Sequence, residues 1–303
     1  MKYLKSYKIF ESRDNQFKTY EETKNWLDDM DIDNYTINDD LTVDVDGDVD
    51  LNNKKLEKIP VKFKSIGGYF DCGSNQLTSL KGSPESVGGS FYCHGNKLTS
   101  LEGSPDSVGG HFYCYNNKLT SLEGCPDSVR GGFNCGSNKL TSLEGCPKSV
   151  GGYFYCRYNQ LTNLEGCPYS VGYFYCHNNQ LTNLEGCPES VGGYFDCNNN
   201  QLKDFKGCPE YIEGYFSCSS NQLKDFKGLN KFKYIYCSDN PIHEIYQLFN
   251  DPKCIQWINE YNVIQQGDKI NLENFKEVLY MMDIKNFDFN QLKQLKNYYL
   301  KIK

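Results

Sequence analysis

The residues with most chemistry to offer are fifteen cysteines, four histidines, twenty-four tyrosines and an aspartate run. Many cysteines suggest a disulfide framework or a zinc site. Here the spacing speaks against both. Cys72, Cys93, Cys114, Cys135, Cys156, Cys176, Cys197, Cys218 and Cys237 form one column of near-constant period. Cys125, Cys146, Cys167, Cys187 and Cys208, each before a proline, form a second. Ser83 and Ser104 take the second-column position in the first two repeats, so that position reads as a small-residue slot and not a covalent staple. The chain contains no CxxC pair to hold zinc. Reduced, buried thiols are the expected state, with no metal and no cofactor.

The run from Asp44 to Asp50 lacks the downstream glutamate and ligand spacing of a calcium loop, and reads as a solvated acidic face. Three of the histidines, His94, His111 and His177, have no acid-and-nucleophile arrangement around them. No catalytic residues are therefore assigned, and an enzyme is not expected.

The remaining candidates are aromatic. In Tyr153-Phe154-Tyr155-Cys156-Arg157, strand alternation sends Phe154 and Cys156 one way and Tyr153, Tyr155 and Arg157 the other. Projected along the chain, this outward set contains Tyr92, His94, Tyr113, Tyr115, Tyr153, Tyr155, Arg157, Tyr158, Tyr173, Tyr175, His177 and Tyr194. Stacked strands about 4.8 Å apart would make these into continuous columns on a concave side. Tyrosine offers contact area, little entropy loss and a hydroxyl, as in a binding surface. It also suits strands for purely structural reasons.

What must position them is a repeat. The first cysteine column advances by 21, 21, 21, 21, 20, 21, 21 and 19 residues, and an asparagine follows each of its cysteines three positions later. Such a period means a solenoid whose coils bury their apolar faces only against each other. The asparagines are expected to bond the adjoining coil as a buried ladder. Gly-Cys-Pro stretches are too rich in breakers for helix, so the return leg is expected to be extended. The reading is an α/β solenoid with one parallel strand per coil and short helical caps at both ends. Residues 1–46 are the N-terminal tail, helix and capping strand, 47–245 the solenoid, and 246–303 the C-terminal helical cap.

Thr19 with Glu22 is a capping box that starts a helix over about 19–30. Residues 1–12 are either a short amphipathic turn or a loose terminus. Val49, Leu51, Leu56 and Ile59 fall where Phe70, Cys72, Leu77 and Leu80 sit one coil later, so the first repeat is degenerate. Asn240-Pro241 and Asp251-Pro252 read as helix starts, and amphipathic helices are expected over 272–282 and 292–302.

The phrase F-x-C-x-x-N-x-L-x-x-L resembles the leucine-rich repeat, with Phe and Cys at positions often held by Leu. The 20–21-residue length and the return-leg proline are similar to the short repeats of secreted bacterial effectors. The wording Leu-Thr-Ser-Leu-Glu-Gly-Cys-Pro-x-Ser-Val-Gly-Gly, with Asn34-Tyr35-Thr36-Ile37 ahead of it, resembles repeat proteins of large tailed phages more closely. The resemblance covers about residues 31–245. It implies a non-enzymatic protein-binding module; the alternative is a structural or glycan-binding virion component. The C-terminal segment is too short to resemble the ubiquitin-ligase domain that some effectors carry.

A net charge of −7 argues against a nucleic-acid partner. No apolar run is long enough to span a membrane. Lysines occupy the place where a signal peptide needs an apolar core, so a cytoplasmic location, the bacterial cytosol if the chain is phage-encoded, is expected.

Overall fold

The computed structural model describes residues 16–265 and 268–301. The reading of residues 1–12 lies outside them. From Val49 to Tyr236 the chain winds as a succession of short legs, one coil per repeat. We number the coils 1 to 9 by their first-column cysteine, from Cys72 to Cys237, after the degenerate coil that carries Leu51.

Each coil gives one short strand to a ten-stranded parallel sheet that runs from Val49–Asp50 to Tyr234–Tyr236. The register places Phe on Phe: Phe70 faces Phe91, Phe133 faces Phe154, and Phe174 faces Phe195. Val49 faces Phe70, so the degenerate coil is in frame. The inward phenylalanines, first-column cysteines and paired leucines of coils 1 to 6 are fully buried, Phe205 replaces the second leucine in coil 7, and the Phe rings form a continuous pile.

The asparagine ladder holds the coils together. The Leu140 N–H donates to Asn159 Oδ1 at 3.0 Å, while Asn159 Nδ2 donates to the carbonyls of Cys135, Cys156 and Arg157. The same pattern runs from Asn75 to Asn240. One side chain thus satisfies backbone groups of two coils that no strand pairing could reach.

The return leg is more regular than expected. Its Ser-Val dipeptides, and Tyr211–Ile212 in coil 7, also pair, so coils 1 to 7 carry a second short parallel strand. Adjacent coils lie at strand spacing on this side too, and extended backbone at that distance pairs its polar groups. These strands form a seven-stranded sheet that ends at Ser149–Val150 and a three-stranded sheet that starts at Ser170–Val171. The break falls at the one 20-residue step, where Val171-Gly172-Tyr173 has one residue fewer than Val150-Gly151-Gly152-Tyr153. At four other corners two amides donate back, as Gly88 to Ile66 O and Gly89 to Gly68 O. At the break Gly172 donates to Gly152 O alone. The aromatic sheet keeps its register, Tyr153 on Tyr173, so the deletion is absorbed on the return leg.

The second cysteine column has a chemical reason. Cys146 Sγ donates to Gly166 O and Cys187 Sγ to Gly207 O, each at 2.9 Å, and Ser104 Oγ donates to the matching carbonyl of Gly124. In these three coils the slot holds a small donor. Gly166 itself, at φ 93°, takes the left-handed turn ahead of the proline.

At the N-terminal end, α1 (Tyr20–Asp29) starts where the capping box places it. The Glu22 N–H donates to Thr19 Oγ1 at 3.2 Å, and the Glu22 carboxylate accepts from Lys18 N–H at 3.0 Å. Buried Trp26 meets Phe63, which meets Phe70, so the cap joins the Phe pile. Tyr35–Ile37 closes the return-leg sheet as an antiparallel edge on Thr42–Val45.

At the other end follow α2 (His243–Phe249), α3 (Lys253–Glu260) and α4 (Leu272–Met281). Asp251 accepts from Lys253 N–H at the start of α3, as its sequence suggests. Asn240 does not cap α2, because its amide is spent in the ladder. The helix expected over 292–302 is absent among the described residues. A 3-10 helix, Phe289–Gln294, leads into the strand Tyr299–Lys301, which lies parallel to Lys269–Asn271. Tertiary contacts override the helical spacing: the Glu244 carboxylate accepts the N–H groups of Lys296 and Asn297, and the Tyr298 hydroxyl donates to Lys224 O.

Candidate aromatic interface

The strands of the ten-stranded sheet show their burial alternation plainly: Tyr153–Tyr155 reads half-buried, buried, half-buried. The outward side chains form three columns. Ahead of the Phe column come Tyr69, Ser90, His111, Gly132, Tyr153, Tyr173, Tyr194, Tyr215 and Tyr234. Between Phe and Cys come Asp71, Tyr92, Tyr113, Asn134, Tyr155, Tyr175, Asp196, Ser217 and Tyr236. After Cys come Gly73, His94, Tyr115, Gly136, Arg157, His177 and Asn198.

All twelve residues singled out in the sequence lie on this face or at its rim, and they form two groups. In coils 2 and 3, Tyr92 packs on Tyr113 with ring centres 5.0 Å apart, and His94 stacks on Tyr115 at 4.8 Å. Burial pushes His94 below its ordinary value, against the pull of Asp71. In coils 5 to 7, Tyr155 meets Tyr175 edge-on at 4.5 Å, and Tyr175 stacks on Tyr194 at 5.5 Å. The Arg157 guanidinium lies over the Tyr155 ring at 5.6 Å. Burial raises Tyr155, which Arg157 pulls back down, and raises Tyr175 to about 12. These phenols stay protonated hydrogen-bond donors through any neutral condition.

Coil 4 separates the groups, with Gly132, Asn134 and Gly136 in place of rings. The gap is bridged from above. Tyr153 leans back over Gly132, stacks on His111 and brings its hydroxyl to that of Tyr113.

Two features were not read from the sequence. The first is Asp196, whose Oδ2 lies 3.0 Å from His177 Nδ1, without hydrogen-bond alignment, while its Oδ1 accepts from Asn198 N–H. The second is the backbone of Tyr158. Its φ is 55°, and the aligned positions Ser74, Gly95, Asn116, Ser137, Asn178, Asn199, Ser220 and Asp239 share this left-handed conformation. Ser, Gly, Asn and Asp tolerate it as turn residues; a bulky aromatic pays strain there. Tyr158 is 52% exposed and meets His177 edge-on at 5.4 Å. The signal was available in the column, since Tyr is its only large residue. The aromatic pile also continues to the end of the sheet, as the outward strand positions of Tyr215, Tyr234 and Tyr236 suggest. Tyr215 stacks on Tyr234 at 4.9 Å and Tyr236 at 5.9 Å.

The ladder of parallel strands, asparagines and inward Phe, Cys and Leu columns defines a leucine-rich-repeat solenoid of about nine turns with short helices at both ends. No protein-family model and no curated protein matches the chain. Among solved structures it is similar to YopM, a leucine-rich effector protein from Yersinia pestis, with 20% identity over 64% of this chain and 60% of that one, at a TM-score of 0.44. It is also similar to YopM from Yersinia enterocolitica WA-314, with 18% identity over 64% and 56% of the two chains, at a TM-score of 0.32. The match therefore spans less than two thirds of either neighbour.

Proposed function

We propose that this chain is a non-enzymatic protein-binding module, phage or bacterial, that engages a partner protein through the aromatic face of coils 5 to 7. The observation that carries the reading is Tyr158. An aromatic held half-exposed in a conformation that Asn or Ser adopts more cheaply, next to Arg157, Tyr155 and His177, is strain kept for contact and not for packing. Central aromatic and arginine residues are where interface energy concentrates, about 2 kcal/mol or more each.

The thiols offer no competing chemistry. Burial pushes the first-column cysteines well above their ordinary value of 9.0, so the thiolate needed for nucleophilic attack is suppressed. Fifteen cysteines without a disulfide support a reducing compartment such as the bacterial cytosol. No helix among the described residues is long and apolar enough to cross a membrane.

The test replaces Tyr155, Arg157 and Tyr175 with Ala. Binding of the protein partner captured from bacterial lysate should fall by several orders of magnitude, while the melting temperature changes little. By contrast, Phe154→Ala should destabilise by about 3–5 kcal/mol, because it empties a fully buried site in the Phe pile. Full affinity in the triple variant would remove this face as the site. Binding to a glycan array and to no protein would favour a virion role instead.

A further inference from the structure

The aromatic sheet has one opening in it. Tyr153 and Tyr173 are cross-strand partners, yet among the described residues no ring contact joins them. Tyr153 lies back over Gly132 in coil 4, where an added Cβ would collide with its ring. Tyr173 lies forward over Gly193, where an added Cβ would come within 2.7 Å of its ring. Two glycines on opposite sides therefore let two neighbouring rings fold apart, and Tyr173 is left 51% exposed. Beside this cleft, one outward column along the strands, Tyr155 and Tyr175 pack edge-on. Over the Tyr155 ring lies Arg157, which makes no ion pair among the described residues.

Resting on the reading above, we infer that this cleft takes a side chain of an extended acidic segment of the partner, with a carboxylate on Arg157 and an adjacent aromatic or apolar side chain between Tyr153 and Tyr173. Charge decides the carboxylate. Arg157 is a fixed cation that presents a planar donor fork and is already backed by the Tyr155 ring, the setting in which guanidinium binds carboxylate in two-pronged fashion. Sugar hydroxyls would need free acceptors around the cleft, and most nearby ones are engaged. Asp196 Oδ1 accepts from Asn198 N–H, the Asn134 oxygen from Gly136 N–H, and the Asn198 oxygen from Ser217 and Ser219, while Asp196 Oδ2 sits beside His177. A segment that brings its own carboxylate and an apolar neighbour matches what is left: a cation, rings and phenolic donors.

The test pans a random heptapeptide library on the full chain and measures the selected peptides by fluorescence anisotropy. Selected sequences should carry Asp or Glu beside an aromatic or large apolar residue. Arg157→Gln should weaken them at least tenfold, Arg157→Lys should retain part of the binding, and added salt should weaken the wild type more than Arg157→Gln. Gly193→Ala should push the Tyr173 ring into the cleft and cost several-fold in affinity, with melting unchanged. Neutral or basic winners, no winners, or winners indifferent to Arg157→Gln overturn the inference. If such indifferent winners still depend on Tyr155 and Tyr175, the aromatic face stands as the interface and only the carboxylate reading falls. Winners indifferent to all three residues remove both. Selective, Arg157-dependent binding of an acidic glycan with no peptide selected overturns it in favour of sugar.

Discussion

Tyr158 and Asn159 are adjacent and do opposite work. Asn159 spends every polar atom of its side chain on backbone groups of its own and the preceding coil. Tyr158 supplies no such bonds from its side chain and holds a costly backbone angle. A residue that breaks the local rule of its column without a packing gain is the expected mark of a functional position. Tyr158→Asn should therefore stabilise the fold by about 1 kcal/mol, since Asn adopts the left-handed region readily. The same change should weaken partner binding. Paired thermal melts and binding isotherms check this, and a variant both less stable and equally active would contradict it.

Among the elements, the return leg and the C-terminal cap carry the tests. The lapse in pairing between Ser149–Val150 and Ser170–Val171 traces to one missing corner residue. Inserting a glycine between Val171 and Gly172 should restore the second corner bond, join the two sheets and raise stability by about 1 kcal/mol per bond recovered. Hydrogen exchange at the coil 5 and coil 6 corner amides would show it directly. At the end of the solenoid, the C-terminal helices are tied in by several separate contacts. Asn259 Nδ2 donates to Phe226 O, Lys224 pairs with Asp268, and Ile242 and Ile245 bury completely near Cys237. Truncation from Asp251 onward should cause aggregation or fraying from coil 9, because a repeat array needs its open end covered. A soluble, monomeric truncation with unchanged melting would make these helices an independent module.

For the whole molecule, the sum of buried thiols sets a pH limit. Burial raises the cysteine column well above 9.0, Cys146, Cys208 and Cys237 to about 12, and Tyr35 to about 12 as well. A group whose folded value is raised contributes stability that is fully present below its unfolded value. That stability is lost as pH climbs toward the folded value, because the unfolded chain releases protons the folded chain keeps. Each buried cysteine then costs about 1.4 kcal/mol per pH unit above roughly 9. With this many thiols the protein should unfold sharply between about pH 9 and 11 while changing little from 6 to 8. Urea melts across that range test it; a flat profile to pH 11 would mean the thiols are more exposed than their packing indicates.

The period and column chemistry were enough to derive the solenoid, its inward Phe, Cys and Leu, the asparagine ladder, the degenerate first coil and α1. Each is a local rule repeated at fixed spacing: alternation chooses a strand face, Thr19 and Glu22 satisfy each other within a turn, and one coil predicts the next. What only the tertiary structure decided lies where coils differ or distant segments meet. The second strand of coils 1 to 7 forms because neighbours stack at pairing distance, which no single return leg encodes. Its interruption needs the register of both legs at once. Residues 296–301 read as helix in isolation, and turn into the strand Tyr299–Lys301 because Glu244, more than fifty positions earlier, claims the amides of Lys296 and Asn297. The cleft likewise depends on Gly132 and Gly193, glycines of two other coils, whose missing side chains matter only once Tyr153 and Tyr173 lie against them.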